Sequence, residues 1–322
     1  VAGSGPGGLA AGVRRRPLIL SRTDDDSWDI TEGVGATALS VARARAAESS
    51  QSRPLFTDPY AEHFVAAAVA AGWQSSFAGE ALADNRFMQA MAAYIAVRTR
   101  YFDDFFSAAG LDQVVILAAG LDTRAWRLPW ISGTVVYELD QPKVLEFKDE
   151  VLREHRAEPA ARYVAVPVDL RHDWPQALRD KGFDPARPTA WLAEGLLPYL
   201  TAADQDLLFA RIHQLSAVGS RVAVEAFSSE FFDPERLAQR RERLRAVADA
   251  AAAAGRPVPE TEQLWYLESR SDVAGWLKQH GWDVAAISSP ALLEHYGRPA
   301  PDDADEAVPG SLFVQGCLVS AK

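Results

Sequence analysis

A single cysteine, Cys317, stands among 322 residues. An internal disulfide framework and a multi-cysteine zinc site are therefore excluded. Cys317 sits in an apolar C-terminal run and reads as a core thiol. Histidine is also scarce. The six are His63, His155, His172, His213, His280 and His295, and no two are spaced as metal ligands, so no metal is expected. Basic residues are outnumbered, 33 Lys and Arg against 44 Asp and Glu, for a net charge of −11. Phosphate backbones and anionic lipid call for a basic face, so neither nucleic acid nor a membrane surface is expected as partner. No apolar run approaches the roughly 18 residues a transmembrane helix needs.

Two phosphate-binding signatures are missing as well. No G-x-x-x-x-G-K-[ST] occurs anywhere in the chain. A G-x-G-x-x-G does occur, at Gly3-Ser4-Gly5-Pro6-Gly7-Gly8, but only two residues precede it. That fingerprint has meaning only between a strand and a helix. The Gly-rich start and Arg14-Arg15-Arg16 read as a disordered tail over residues 1–25. The short "PLIL" after the basic cluster does not make a secretory h-region, and a cytoplasmic protein is expected.

What is present is a change of periodicity. Residues 26–110 read as a helical N-terminal cap. "DSWDITEGVGATALSVARARAAES" repeats Val34, Ala38, Val41 and Ala42 at helical spacing. Asp58 is placed to cap a helix from Pro59 to Ala71. A longer helix, Glu80–Ala109, meets Gly110 as its C′ residue. Short continuous apolar runs then follow, at Val114–Ala118, Val135–Leu139, Tyr163–Val168, Ala190–Ala193 and Val222–Ala226. Helical stretches separate most of them, at Pro142–His155, Pro175–Lys181 and Ala203–Leu215. Strands covered on both faces and alternating with helices form a doubly wound parallel sheet. "SDVAGWLKQHGWDVAAISS" adds a helix, a Gly281 stop and a sixth strand, and "SLFVQGCLVSAK" a seventh. Only a polar loop is read between those two, with no helix, so the last strand runs antiparallel.

The expected fold is thus α/β, a seven-stranded doubly wound sheet with the last strand antiparallel. Residues 26–322 form one domain, with its core sheet in 111–227 and 271–322. Residues 228–270, centred on "PERLAQRRERLRAVADAAAA", read either as a solvated helix or as a helical lid, and their place after strand five favours the lid. That is the sheet edge where ligands bind in such folds.

Chemistry collects at the strand ends. Strand one stops at Ala118-Ala119-Gly120, and glycine lets a ligand approach bare backbone. Strand two ends with Glu138 and Asp140, two apart and on one face, and either can accept from both hydroxyls of a ribose. "VPVDLRHDW" sets Asp169 after strand three, where a carboxylate and a neighbouring N–H suit adenine. Glu194 ends strand four in "WLAEGLLPYL". Acids at this rim would repel a pyrophosphate and suit a sulfonium and an ammonium, which points to S-adenosylmethionine. Its carboxylate needs a cation, supplied by Arg98 or Arg100.

Taken together, "LAAGLDTRAWRLPW", "YELDQP", "VPVDLRHDW", "AEGLLPYL" and the upstream "VRTRYFDDFF" resemble the leucine carboxyl methyltransferase-like family, and most of all its actinobacterial branch of S-adenosylmethionine-dependent methyltransferases. The resemblance runs from about Asp29 to the C-terminus. It implies a Rossmann-like methyltransferase sheet and assigns cofactor roles. Arg98 would bind the carboxylate, Gly120 would lie against the cofactor, and Asp140 would hold the ribose. Asp169 and Leu170 would take the adenine, and Glu194 would face the ammonium. The chain departs from the family's Gly-Ala-Gly at Ala118, whose methyl narrows the approach. Asp122 and Arg124 belong to the same turn and either pair with each other or meet the cofactor.

The expected reaction is methyl transfer to a carboxylate or hydroxyl oxygen of a small apolar metabolite. His172, Tyr199 and Glu225 lie near strand ends as possible bases, and ordinary structural roles are the preferred reading for all three, so no catalytic residue is assigned. Trp73, Phe77, Phe87, Phe102, Phe105, Phe106, Phe231, Phe232, Trp265 and Tyr266 are available to line an apolar pocket or to fill the core, with core the preferred reading. The alternatives are a nicotinamide-dependent oxidoreductase on a similar sheet and a non-catalytic adenosine-ligand-binding domain.

Overall fold

Residue alternation along the first strand shows how the sheet is covered. In a computed structural model, β1 (Gln113–Leu117) is buried along its whole length. Val114 and Ile116 pack to one side and Val115 and Leu117 to the other. A strand with two apolar faces has to lie between two helical layers. The model describes residues 33–73, 86–233, 265–266, 268–299 and 310–320, with scattered positions between 235 and 253. The expected tail and its glycine fingerprint, residues 26–32 and 80–85 of the expected helices, Phe77, and residues 254–264 of the insertion lie outside the described residues.

The other strands are β2 (Val135–Asp140), β3 (Arg162–Pro167), β4 (Ala190–Ala193), β5 (Arg221–Phe227), β6 (Trp282–Ser288) and β7 (Ser311–Leu318). They form one sheet in the order β3-β2-β1-β4-β5-β7-β6. The pairs among β1 to β5 are parallel, and β7 runs antiparallel to both β5 and β6. The strand order reverses between β1 and β4, the point at which doubly wound sheets open a crevice.

One layer carries α1 (Gly33–Ser49), α2 (Ala61–Ala70), α3 (Arg86–Ala109) and α5 (Pro142–Glu154), whose side chains join Val114, Ile116, Val136 and Leu192. The opposite layer holds α6 (Trp174–Asp180), α7 (Ala202–Gln214) and α8 (Val273–Gln279) against Val115, Leu117, Leu139 and Trp191. Each fully buried aliphatic side chain contributes about 1.5–3 kcal/mol, and these two layers hold the sheet rigid beneath the site. The four-residue α4 (Arg124–Arg127) follows the β1 turn.

Local signals account for the ends of the helices. Asp58 Oδ1 accepts from the N–H groups of Tyr60 and Ala61 and so holds the turn that leads into α2, but the helix starts two residues after Pro59 and its N-cap is Tyr60, not Asp58 as expected. Gly110 and Gly281 take φ values of +62° and +80°, the left-handed turn that ends α3 and α8. Thr201 and Asp272 cap α7 and α8 through their side chains.

A second expectation fails. The link from β6 to β7 is not only a polar loop: α9 (Ser289–His295) begins at once after β6. Pro290 sits in its first turn, and Leu292 and Leu293 are buried against the α3 side of the core. A Ser-Ser-Pro start marks a helix N-terminus, and reading "ISS" as strand obscured it. The last pair is antiparallel all the same, because this short helix packs beside the sheet and does not carry the chain across it.

Candidate functional site

The parallel register puts the chemistry on one rung. Leu117 of β1 pairs with Leu139 of β2 and Ala193 of β4. The next residues out, Ala118, Asp140 and Glu194, therefore stand level at the same sheet edge. Asp140 is level with Pro167 of β3, two residues before Asp169. A cavity of about 220 Å³ opens over this edge, and Arg98, Gly120, Asp140, Asp169, Leu170 and Glu194 all line it. α1 forms its roof with Thr37, Ala38 and Val41, and Leu196, Tyr199 and Leu200 complete a wall.

The turn after β1 is tied to β2. Gly120 N–H donates to Asp140 Oδ2 at 2.6 Å, and Gln141 N–H donates to Oδ1 at 2.7 Å. Burial pushes the Asp140 carboxyl above its usual range, against those two N–H groups. Gly120 has φ +53°, and a Cβ built on it would stand 3.5 Å from Ala38 Cβ of α1. Ala118 has φ +51°, a left-handed conformation held by a residue with a side chain. That costs roughly 1–2 kcal/mol.

The structure places the two pairs of alternatives left by the sequence differently. Glu138 is fully buried and ion-paired with Lys148, itself fully buried beneath the rings of Trp126 and Tyr163. Burial pushes the Glu138 carboxyl up to about 7 despite that partner. Asp140 alone of the pair reaches the cavity. Arg100 turns away to Asp104 at 2.9 Å and the Leu55 carbonyl at 2.9 Å, whereas Arg98 lines the cavity.

Arg98 is held from two sides. Its Nε lies 3.0 Å from Glu194 Oε1, and its Nη1 donates to Glu225 Oε2 at 3.1 Å. Burial lowers its basicity, but the two carboxylates outweigh that and raise it above the ordinary arginine range. Glu194 also accepts from Arg124 Nη1 at 2.8 Å. Arg124 in turn binds Asp103 at 2.7 Å and pairs closely with Asp122. The Asp122–Arg124 pair is thus a buried ion pair. Asp122 lines the cavity, while Arg124 stands behind it.

At the far end, Arg171 clasps Asp169 with Nη2 at 2.6 Å and with its own N–H at 2.8 Å. Burial pushes the Asp169 carboxyl up, but these hydrogen bonds prevail and hold it down at about 2.

The three possible bases separate. His172 is exposed and does not line the cavity. Both Glu225 oxygens are taken, Oε2 by Arg98 and Gly195 N–H and Oε1 by Tyr94. Tyr199 does line the cavity, and its hydroxyl donates to Thr37 Oγ1 of α1 at 3.4 Å. Among the aromatics, Trp73, Phe102, Phe105 and Phe106 belong to the core. Phe231, Phe232 and Trp265 pack with Phe227 at the exit of β5, Phe227 and Phe231 stacked at 3.9 Å. The side chain of Phe87 lies outside the described residues.

Sequence reasoning did not assign Tyr94 or Lys148, nor the role Glu225 has here. A lone acid inside the apolar "RVAVEAF" was the signal for Glu225. Tyr94 and Arg98 are four apart on one helix face, but nothing in the sequence says which strand that face meets.

The chain is similar to known methyltransferases. The sequence profile of the leucine carboxyl methyltransferase family matches residues 38–213. A Mycobacterium avium (strain 104) protein named "Putative S-adenosyl-L-methionine-dependent methyltransferase" is 54% identical over 310 residues, covering 92% of this chain and 98% of its own. A Mycobacterium marinum protein of the same name is 51% identical over 309 residues, with the same coverage. Among solved structures, a DUF574 family protein from Streptomyces avermitilis is 16% identical, with a TM-score of 0.47 over 86% of this chain and 96% of that one.

Proposed function

The chain belongs to the leucine carboxyl methyltransferase family, and from that premise we propose that it transfers the methyl group of S-adenosylmethionine to a carboxylate or hydroxyl oxygen of a small apolar metabolite. Methyl transfer dependent on that cofactor is the activity for which its relatives are named. The oxygen acceptor and its size are the further step.

One observation carries the reading: Arg98, Gly120, Asp140, Asp169, Leu170 and Glu194, from five separate elements and their ends, line a single cavity. The donor set fits this cofactor. Arg98 would take the carboxylate and Glu194 the ammonium. Asp140 would accept from the ribose hydroxyls, with Asp169 and Leu170 beside the adenine. Four acids (Asp122, Asp140, Asp169 and Glu194) and three arginines (Arg45, Arg98 and Arg171) line the cavity, so acids outnumber cations there, which disfavours the pyrophosphate of a nicotinamide cofactor. The turn after β1 also leads into only four helical residues, Arg124–Arg127, so that turn presents no long helix N-terminus to a phosphate.

When bound, the cofactor supplies a methyl group already activated by its sulfonium. The task of the protein is alignment and exclusion of water. α1 roofs the cavity through Ala38 and Val41, and Leu196 and Leu200 give the wall an apolar character suited to an apolar acceptor. A carboxylate acceptor needs no base. For a hydroxyl acceptor, Tyr199 is the group of the three considered that reaches the cavity with a hydroxyl.

The test is transfer of labelled methyl from S-adenosylmethionine into a metabolite extract. Label in an organic-soluble small molecule is expected, released as methanol by mild base from an ester or retained in an ether. Label confined to nitrogen, to sulfur or to macromolecules overturns the acceptor assignment.

A further inference from the structure

We propose that Glu225 is a positioning residue for the amino-acid end of the cofactor, holding Arg98 and the Gly195 backbone in binding geometry, with Tyr94 as its anchor. The inference rests on the cofactor reading above and deepens it.

Glu194 and Glu225 stand side by side. Ala193 of β4 pairs with Val224 of β5, so the next residue on each strand is a carboxylate on the same rung and face. Like charges opposite one another on neighbouring strands repel. Arg98 reaches across from α3 and satisfies both, through Nε with Glu194 and through Nη1 with Glu225. Glu225 Oε2 also accepts from Gly195 N–H at 2.8 Å. Gly195 has φ +64°, and a Cβ on it would stand 3.6 Å from Arg98 Nη1 and 3.9 Å from Glu225 Oε2. One oxygen therefore fixes both the cation and the adjoining backbone of the cavity wall.

The other oxygen is held in turn. Tyr94 Oη donates to Glu225 Oε1, and the same hydroxyl lies 2.7 Å from Ser311 Oγ of β7. Tyr94 is fully enclosed, and burial beside Glu225 keeps its hydroxyl protonated far above the usual range. With every oxygen engaged and its carboxylate buried, Glu225 is built to hold Arg98 and not to accept a substrate proton. The amino-acid end of the cofactor is a zwitterion. Loss of one negative charge helps its carboxylate and hurts its ammonium, so the geometric loss decides the sign.

Two probes separate the ends of the cofactor. S-Adenosylhomocysteine carries the amino-acid end, and 5′-methylthioadenosine has the same nucleoside without it. Calorimetry on Glu225→Gln should show affinity for S-adenosylhomocysteine reduced about tenfold or more, with methylthioadenosine held within about twofold. Tyr94→Phe keeps the charge and should shift the first affinity in the same direction by less. It also carries the test should Glu225→Gln fail to fold. Equal losses for both probes, no loss, or tighter S-adenosylhomocysteine binding overturns the proposal. Wild-type protein that binds both probes equally also overturns it while leaving the cofactor reading intact. Wild-type protein that binds neither removes the cofactor reading itself and this inference with it.

Discussion

Gly120 donates its backbone N–H to Asp140 Oδ2 at 2.6 Å. This bond joins the turn after β1 to the end of β2, beside the crevice that opens where the strand order reverses between β1 and β4. Gln141 N–H donates to the other oxygen at 2.7 Å, so two backbone N–H groups fix the direction of the carboxylate. Each oxygen keeps a lone pair for a ribose hydroxyl.

Replacement of Asp140 by Ala should weaken S-adenosylhomocysteine binding by about 1–3 kcal/mol, the cost of a lost charged hydrogen-bond partner. Calorimetry measures it directly. Because burial raises the Asp140 carboxyl above its usual range, affinity in the wild type should fall as acid protonates it, and Asp140→Asn should flatten that dependence. Unchanged affinity in the alanine variant rejects the ribose role.

Asp169 governs part of the acid limb of stability. Its carboxyl is held down from 3.8 to about 2 in the folded chain. A depressed carboxyl contributes stability that is complete above its unfolded value and is lost as pH falls through its folded one. Urea unfolding of Asp169→Asn should therefore show a shallower loss than wild type between pH 3.8 and about 2. Parallel curves contradict the ion pair with Arg171.

Ala118 occupies a left-handed backbone at φ +51°. Glycine relieves roughly 1–2 kcal/mol of strain there and gives back about 0.4–1 kcal/mol through a freer unfolded chain. Ala118→Gly should thus stabilise the protein by about 0.5–1 kcal/mol in denaturant melts. It should bind S-adenosylhomocysteine at least as tightly as wild type. A destabilised variant means that the Ala118 methyl makes contacts worth more than the strain.

Lys148 and Glu138 are a buried pair, each fully removed from solvent. Lys148→Met leaves a buried carboxyl group without its cation and should cost about 3–5 kcal/mol. The double variant with Glu138→Leu should recover most of that loss, since apolar replacements of a buried pair are often neutral. If the double variant is no better than the single one, the rings of Trp126 and Tyr163 depend on the ammonium itself.

The central strands β1 and β4 were easy to read because both of their faces are buried. "VVIL" and "AWLA" are apolar throughout, and β4 runs over Ala190–Ala193 as expected. The rim of the sheet was legible for the opposite reason, since Asp140, Asp169 and Glu194 interrupt apolar runs where packing has no use for a charge. The choice between Glu138 and Asp140 was not legible. Both share a period-two face, and only the position of Lys148 on α5 shows which one is neutralised. α9 was hidden because it follows β6 with no residue between them, so its first serine reads as the end of the strand. The Tyr94–Glu225–Arg98 cluster joins residues more than 120 apart in sequence, a relation of packing that local pattern does not encode.

The most direct test is a crystal structure with S-adenosylhomocysteine. The account predicts ribose hydroxyls within hydrogen-bond distance of Asp140, the carboxylate on Arg98 and the adenine beside Asp169 and Leu170. A nucleoside bound elsewhere, or lying in this cavity with its ribose turned away from Asp140, contradicts it.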